Sequence, residues 1–517
     1  MAENKGKRCG VIDIGTNSLK LLIAESDGKE TKNIERLKNV IPIGKDVFFT
    51  ERISQETTKI AIAILEKYKN KLSEYGIEDI KIIATTAVRE AINKDVFIDT
   101  IYRKTGLKIE VLTAGDVVYY IDAFLYHTLK DKYPIHDKNL LIAELGSGSL
   151  DVSILEKGYT LMTLGLPLGP LKLKQFSSAL EGSYNEINYA LEEYIENEIS
   201  YIRRNLPSDL KIDDIILIDE NYASYLNSIT AKASLEPDFM RISKPDASEI
   251  VNVLSERTAR DISTEFKIPS ETAETITSYA MTLNSLFSLA NSEYIYVLKA
   301  SLSEAIIAGI LLDYEVSPKY NKTNQLLSMT TFICKKHNLD LKHIKQVSWL
   351  SEILFAGLRE QLGLKKPELL FLLLAAQLHD TGMIVSNRAH HKHSEYLISS
   401  LNLFRLSEED IKIIACIARY HRKAHPLKTH LLYRSLPSEK QILVQKLSAL
   451  LRIANALDGS HKQKVAKLEL VYNKTQELIL ALEVKDSFTL ERADFLDKKE
   501  LLEEISGLLV SLKIKGV

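Results

Sequence analysis

Two short segments carry the residue types that hold phosphate and a hard cation. The first, Asp13-Ile14-Gly15-Thr16-Asn17-Ser18, follows an apolar run that reads as a buried strand. A glycine there lets the chain turn sharply. The loop amides and the Thr16, Asn17 and Ser18 side chains can ring a phosphate, while Asp13 can hold a hydrated cation. The second segment, Glu144-Leu145-Gly146-Ser147-Gly148-Ser149, offers the same donors. Laid over one another, the two align Asp13 with Glu144, Gly15 with Gly146, Ser18 with Ser149 and Leu19 with Leu150, 131 residues apart. That spacing is domain-sized, whereas solenoid repeats run about 20–50 residues. A duplicated fold with both halves facing one cleft is therefore expected. One such loop alone reads as an ordinary hairpin turn; two in matching register point to a phosphate clamp.

A third segment, Thr85-Thr86-Ala87-Val88-Arg89, ends a strand and opens a helix. The Arg89 fork suits a bidentate grip on phosphoryl oxygens, although taken alone it reads as a solvated surface residue. Further along, His379 and Asp380 adjoin, His343 precedes them, and His393 and His421 follow. These residue types ligate divalent ions, whereas an isolated histidine is more often simply packed. Basic residues gather in the same stretch: Arg388, Lys392, Arg422, Lys423 and Lys428, with His390, His391, His425 and His430 among them. Such a run is either a track for a polyanion or a solvated face.

The elements that must position these residues begin in α/β order. Strand patterns at CGVIDIG, LKLLIAES and IKIIATTA alternate with a helix over TTKIAIAILEKYKNKLSEYG and another over VVYYIDAFLYHTLK. A strand-turn-strand then appears in NLLIAELGSGSLDVSILEKGY. Residues 180–206 and 245–312 read as mostly helical, with DIILID a short strand between them. YEVSPKYNKTNQ breaks the pattern as a linker, and from about residue 325 to 462 the chain is helical. KLELVYNKTQELILALEV alternates like a hairpin before a last helix in KKELLEEISGLLVSLK. The chain has 67 Lys and Arg against 69 Asp and Glu, a net charge of −2, so no global field draws it to nucleic acid or an anionic membrane. Three cysteines without metal or disulfide spacing, no signal-like apolar segment near Met1 and no 20-residue apolar run predict a cytoplasmic location and no membrane span.

Together DIGTNS, TTAVREAIN, the LGSGS loop and LGLPLG resemble the exopolyphosphatase and guanosine pentaphosphate phosphohydrolase family, within the actin-like phosphotransferase superfamily. Residues 375–398 resemble the HD-type domain of its longer members. The resemblance implies an α/β class with two actin-like (ribonuclease H-like) domains, 1–127 and 128–314, around a cleft. An all-α HD-type domain, 325–462, and a small α+β C-terminal unit, 463–517, would follow. It implies magnesium-assisted release of terminal phosphate from inorganic polyphosphate, or of a phosphate from guanosine pentaphosphate, and a homodimer. Asp13 and Glu144 would hold Mg²⁺. Gly15, Thr16, Asn17, Ser18, Gly146, Ser147, Gly148 and Ser149 would cradle phosphate, and Arg89 would bind its equatorial oxygens. His343, His379, Asp380 and His421 look like the ligands of a second divalent metal; the closing aspartate of that series is Asn455, with Asp458 one turn away.

Departures from the family pattern shape the expectations. Its acidic run after a small residue and Gly is Ala114-Gly115-Asp116-Val117-Val118-Tyr119 here, so two acidic positions are valines and Asp116 is left as the candidate base. Glu144 and Asp151 stand for the family's Asp and Glu, and Ser147 for its middle Gly. Its later Gly-Gly-Thr loop is Asp219-Glu220-Asn221, whose carboxylates are expected to repel an anion and defeat nucleotide binding. An ATP-dependent kinase thereby loses support. A hydrolase acting in the cleft, a non-catalytic sensor of polyphosphate or alarmone, and a phosphohydrolase whose only site is the histidine series all stay open.

Overall fold

Strands buried on both faces form only where helices cover both sides of a sheet, and Cys9–Ile14 is such a run. The computed structural model describes residues 7–129, 132–207, 209–220, 222–230, 234–235, 240–313, 320–422, 424–473 and 477–515. They divide into two compact units, Met1–Lys322 and Thr323–Val517.

In the first unit, β1 (Lys7–Ile14), β2 (Ser18–Ser26), β3 (Thr31–Val40), β4 (Ile80–Ala84) and β5 (Glu110–Val111) form a sheet of order β3-β2-β1-β4-β5. A second sheet contains β6 (Asn139–Leu145), β7 (Leu150–Glu156), β8 (Tyr159–Leu166), β9 (Asp214–Asp219), β10 (Ser234–Leu235), β11 (Met240–Ser243) and β12 (Tyr294–Lys299), in the order β10-β11-β12-β9-β6-β7-β8. From β8 to β12 it repeats the order of the first sheet. In each, an antiparallel hairpin continues into a parallel partner, β1 with β4 and β6 with β9. The duplication read from the two loops thus extends to topology. Strands β3, β8, β10, β11 and β12 went unread in the sequence; β12 lay inside the stretch taken as helical.

Ile12, Ile14, Leu19, Leu21 and Ile82 make the first core with Ala61, Leu65, Tyr68 and Leu72 of the helix Gln55–Glu74. That helix starts where the Ser54 side chain accepts from the Thr57 amide, a cap worth about 1 kcal/mol. The second core sets Leu141, Val152, Ile215 and Ile295 against helices Tyr184–Asn205 and Ile276–Leu286. The helix Leu302–Leu312 returns to pack on β1, β2 and the helix Ala114–Leu129. It therefore belongs with the first sheet, and the second lobe stops short of residue 314. Tyr320, from the stretch read as a linker, is buried against Tyr119 and Tyr126; residues 314–319 lie outside the described residues.

The helix Ala114–Leu129 also touches β7, and that contact buries Asp122, whose carboxylate accepts a 2.8 Å hydrogen bond from Ser153 Oγ. Burial pushes its carboxyl up to about 8. The folded chain therefore keeps a proton that the unfolded chain releases near pH 4. The stability this group contributes is complete below pH 4 and is lost, at about 1.4 kcal/mol per pH unit, as pH rises to about 8. Asp122→Asn is expected to melt higher than the parent at pH 8 and at the same temperature at pH 4. A difference in melting temperature that does not change with pH would count against this.

The second unit packs helices Lys322–Lys336, Leu341–Leu358, Leu369–Leu378, His390–Ser399, Glu408–Arg419 and Ser438–Ala456. Strands β13 (Val465–Asn473) and β14 (Glu477–Val484) pair as the expected hairpin, and β15 (Leu509–Lys515) joins parallel to β14. The expected last helix ends at Ser506, because Gly507 takes a left-handed φ of 70° and the chain turns into β15. Helices Thr489–Lys498 and Glu500–Ser506 rest on Ser438–Ala456, which makes residues 463–515 part of the helical unit. The three cysteines are buried and unpaired, and among the described residues no helix is long and apolar enough to cross a membrane.

Candidate functional site

At the carboxyl ends of β1 and β6 the chain makes the same turn twice. The Gly15 amide donates to the Ser18 carbonyl at 3.0 Å, and the Gly146 amide to the Ser149 carbonyl at 2.9 Å. Across the hairpins Asp13 faces Lys20, and Glu144 faces Asp151. Carboxyl ends of strands are where open α/β sheets bind ligands, and both turns open on one cleft of about 440 Å³. Asp13, Gly15 to Ser18, Thr86, Glu144, Gly146 to Ser149 and Asp151 all line it. The turns also touch each other. A methyl at Gly148 would lie 2.8 Å from Thr16 Oγ1, and Thr86 Oγ1 and Ser149 Oγ share a 2.7 Å hydrogen bond. Behind them Gly169, the last residue of LGLPLG, packs on the Gly148 backbone, and the Leu171 amide donates to the Ser147 carbonyl at 2.9 Å.

Negative charge dominates the floor of the cleft. Asp13 Oδ1 and Asp151 Oδ1 are buried without a hydrogen-bond partner. Burial raises the carboxyl of Asp13, with Lys20 opposing. Enclosure, followed by the charge of Asp151, pushes Glu144 up to about 8. Burial takes Asp151 to about 6, with Arg89 opposing. Three carboxyl groups held above their usual range, two with an idle oxygen, form a hard-oxygen donor set. Mg²⁺, held through one or two carboxylates and the phosphates of its substrate, fits that set.

The loop expected to repel anions is built otherwise. Glu220 pairs with Lys20 and, at 3.3 Å, with Arg36; Arg36 also reaches Glu304 at 2.5 Å. Asp219 accepts from the Ala223 amide at 2.9 Å and the Tyr279 hydroxyl at 3.0 Å. Both carboxylates are engaged, Glu220 as a tie between the two sheets. The charge of Glu220 is thus offset by Lys20 and Arg36, whereas Asp219 keeps its own on the cleft lining, where it helps to raise Glu144; Asn221 lies outside the described residues.

Two other residues stand differently from their expected roles. Asp116 accepts from the Thr113 amide at 3.0 Å and the Thr113 hydroxyl at 2.8 Å, while its own amide donates to Thr113 Oγ1. That reciprocal pair caps the helix Ala114–Leu129, and it is Val117 that lines the cleft. Asp116 is not among the residues that line the cleft. Arg89 donates to the Leu112 carbonyl at 2.7 Å and to Thr86 Oγ1 at 3.3 Å, so it stands behind Thr86 and bears on the cleft through that hydroxyl and through the charge of Asp151.

In the second unit, His343, His379, Asp380 and His421 are buried together, and His390 joins them. Asp380 Oδ2 lies 3.4 Å from His379 Nε2 and 3.9 Å from His343 Nε2; its Oδ1 lies 3.3 Å from His390 Nε2 and 3.9 Å from His421 Nε2. Asn455 Oδ1 is 3.1 Å from His343 Nε2, and Asp458 lies behind the ring, 2.8 Å from Nδ1. His390 escaped the sequence reading because it was counted with the basic run. Arg388, Lys392, Arg422 and Lys428 of that run are exposed; Lys423 lies outside the described residues.

Comparison with known proteins bears on both units. Residues 22–313 match the sequence model of the Ppx/GppA phosphatase family, and residues 328–505 that of Ppx/GppA phosphatase, domain III. A guanosine-5'-triphosphate,3'-diphosphate pyrophosphatase of Pseudoalteromonas translucida is 22% identical over 467 residues, 86% of each chain. A bifunctional 3-dehydroquinate synthase/phosphatase of Fusobacterium nucleatum is 33% identical over 155 residues, 28% of this chain and 22% of that one. Among solved structures, an exopolyphosphatase from Cytophaga hutchinsonii superposes with a TM-score of 0.52 at 21% identity, covering 59% of this chain and 98% of its own.

Proposed function

Because the chain belongs to the Ppx/GppA phosphatase family, we propose that its cleft releases the terminal phosphate of inorganic polyphosphate by attack of water. The observation that carries this reading is the pair of unpartnered carboxylate oxygens, on Asp13 and Asp151, beside two matched phosphate-sized turns. The amides and hydroxyls of residues 15–18 and 146–149 bind and orient the terminal phosphoryl group. Asp13 and Glu144 hold Mg²⁺, which when bound supplies charge neutralisation at the phosphoryl oxygens. Asp151 is the base: its Oδ1 takes a proton from the water whose oxygen bonds to the terminal phosphorus. The bridging P–O bond breaks, its electron pair leaves with the shortened chain, and orthophosphate is released. Arg89 holds Thr86 and Asp151 in place. Phosphoryl transfer asks for positioning and charge compensation above all, and this set supplies both.

Guanosine pentaphosphate is the second candidate substrate, since relatives of this chain carry the name of that activity. A regulator that binds without hydrolysing is favoured by one observation, the apolar Val117 on the cleft wall. One assay separates the three: phosphate release from long-chain polyphosphate and from guanosine pentaphosphate, each with and without Mg²⁺. Magnesium-dependent release from polyphosphate is expected. Release from the nucleotide alone would transfer the assignment to it, and binding of polyphosphate without release would leave the regulator.

A further inference from the structure

The cations that could take a phosphate chain beyond its terminal group lie together on one face of the first sheet. Across the β1–β2 hairpin Asp13 faces Lys20, and across the β2–β3 hairpin Lys20 faces Lys38. Arg36, two residues before Lys38 on β3, belongs to the same face, because alternate residues of a strand share a side. By the same rule Ser18 of the first phosphate turn, two residues before Lys20 on β2, stands on that face too. The basic patch therefore continues directly from the turn. Lys20 and Lys38 line the cleft, and no other cation does so among the described residues of its lining.

Like charges directly opposite one another on paired strands repel, and here a carboxylate from the second sheet offsets them. Glu220, which follows β9, pairs with Lys20 and, at 3.3 Å, with Arg36. Burial alone would raise the Glu220 carboxyl, but Lys20, then Lys38 and Arg36, outweigh it and hold the group below its usual range. Glu220 is thus an anion already seated on the patch. The side chains of Lys20 and Glu220 each keep 24% of their surface exposed, so a solute in the cleft can reach the pair.

We infer that Glu220 competes within the molecule for the cations that would hold the substrate's inner phosphates, and that this competition makes the cleft select long phosphate chains over short ones. The inference rests on the reading that the cleft takes a phosphate chain. With its terminal group in the two turns, such a chain brings its next phosphates to Lys20, Lys38 and Arg36, where they have to replace the Glu220 carboxylate. One charge-assisted pair then gives way to another of the same kind, so each exchange gains little. A long chain meets that demand with many linked phosphates, whose effective concentration at the patch is high. A short anion has only a group or two for the same exchange. Glu220 sets specificity in this way without touching the reacting phosphorus.

Binding of tripolyphosphate and of long-chain polyphosphate to the full chain, measured by calorimetry at low salt and without Mg²⁺, is the test. Glu220→Gln is expected to bind tripolyphosphate about tenfold more tightly than the parent, and long-chain polyphosphate no more than about threefold more tightly. Glu304→Gln removes the other carboxylate on Arg36, from a helix packed on the first sheet; it is expected to bind both within about twofold of the parent. Unchanged or weaker tripolyphosphate binding by Glu220→Gln would overturn the inference and leave Glu220 as a tie between the sheets. Equal tightening in Glu304→Gln would assign the gain to net charge, and an equal gain for both chain lengths would remove the selection. Binding of neither anion by any of the three proteins would overturn the patch itself. Failure of the cleft reading shows elsewhere, as a parent that releases no phosphate when Mg²⁺ is added, so the two failures are distinguishable.

Discussion

Asp151→Asn is expected to lower magnesium-dependent phosphate release from polyphosphate by about 10³-fold, the range of a lost general base, while polyphosphate affinity stays within about threefold. Asp151 Oδ1 is buried on the cleft floor with no partner, and its Oδ2 already accepts from Ser149 Oγ at 3.3 Å. The amide that replaces it can keep the contact with Ser149 but cannot take a proton from water. Thr86 on the cleft lining and Arg89 behind it keep their bond to each other, and Arg89 its bond to Leu112. Asp116→Asn is the informative contrast. It alters a helix cap, so about 1 kcal/mol of stability is expected to go, with release within about threefold of the parent when assayed well below the melting temperature. Steady-state release together with polyphosphate binding by both variants decides the matter. Full release by Asp151→Asn would return the base to another group, and a 10³-fold loss in Asp116→Asn would restore the role expected of it from the sequence.

That contrast also shows what the sequence makes legible. Each phosphate turn is dictated by residues within the turn, and the match of Asp13 through Leu19 to Glu144 through Leu150 needs no knowledge of distant contacts. The capping role of Asp116 is written locally too: Thr113-Ala114-Gly115-Asp116 ahead of an apolar helix is the spacing of a capping box. The last helix was overdrawn because Leu508 to Lys513 carries no breaker of its own, and only the left-handed Gly507 separates it from the preceding turn. Other features had no local signal. Asp122 is buried because its helix lies against β7, Glu220 is neutralised by basic residues some 200 and 184 positions away, and His390 faces His421 across a pair of packed helices. Charge sums along a sequence cannot reveal which carboxylates meet a partner.

Gly169→Ala is expected to cost about 10²-fold in phosphate release, with about 1–3 kcal/mol of stability. The methyl would enter the space held by the N, Cα and C atoms of Gly148, which is backbone and cannot rotate aside. Either the Gly146–Ser149 turn moves or the start of the helix Pro170–Ser178 does, and the 2.9 Å bond from the Leu171 amide to the Ser147 carbonyl couples the two. Overpacking of this kind costs about 1–3 kcal/mol. The effect on chemistry is larger than that figure suggests, because the turn aims its amides at a reacting phosphoryl group, and a misplacement of about 1 Å can cost about 10²-fold. A displaced turn weakens the grip on bound product as well, so inorganic phosphate should inhibit the variant less than the parent. Thermal melts, steady-state rates and phosphate inhibition together test this. A variant that melts lower but hydrolyses and binds phosphate as the parent does would place the strain in the helix Pro170–Ser178 and leave the turn where it stands. Loss of rate with unchanged phosphate inhibition would mean that the turn holds phosphate without Gly169 behind it, and that LGLPLG serves the reaction by another route.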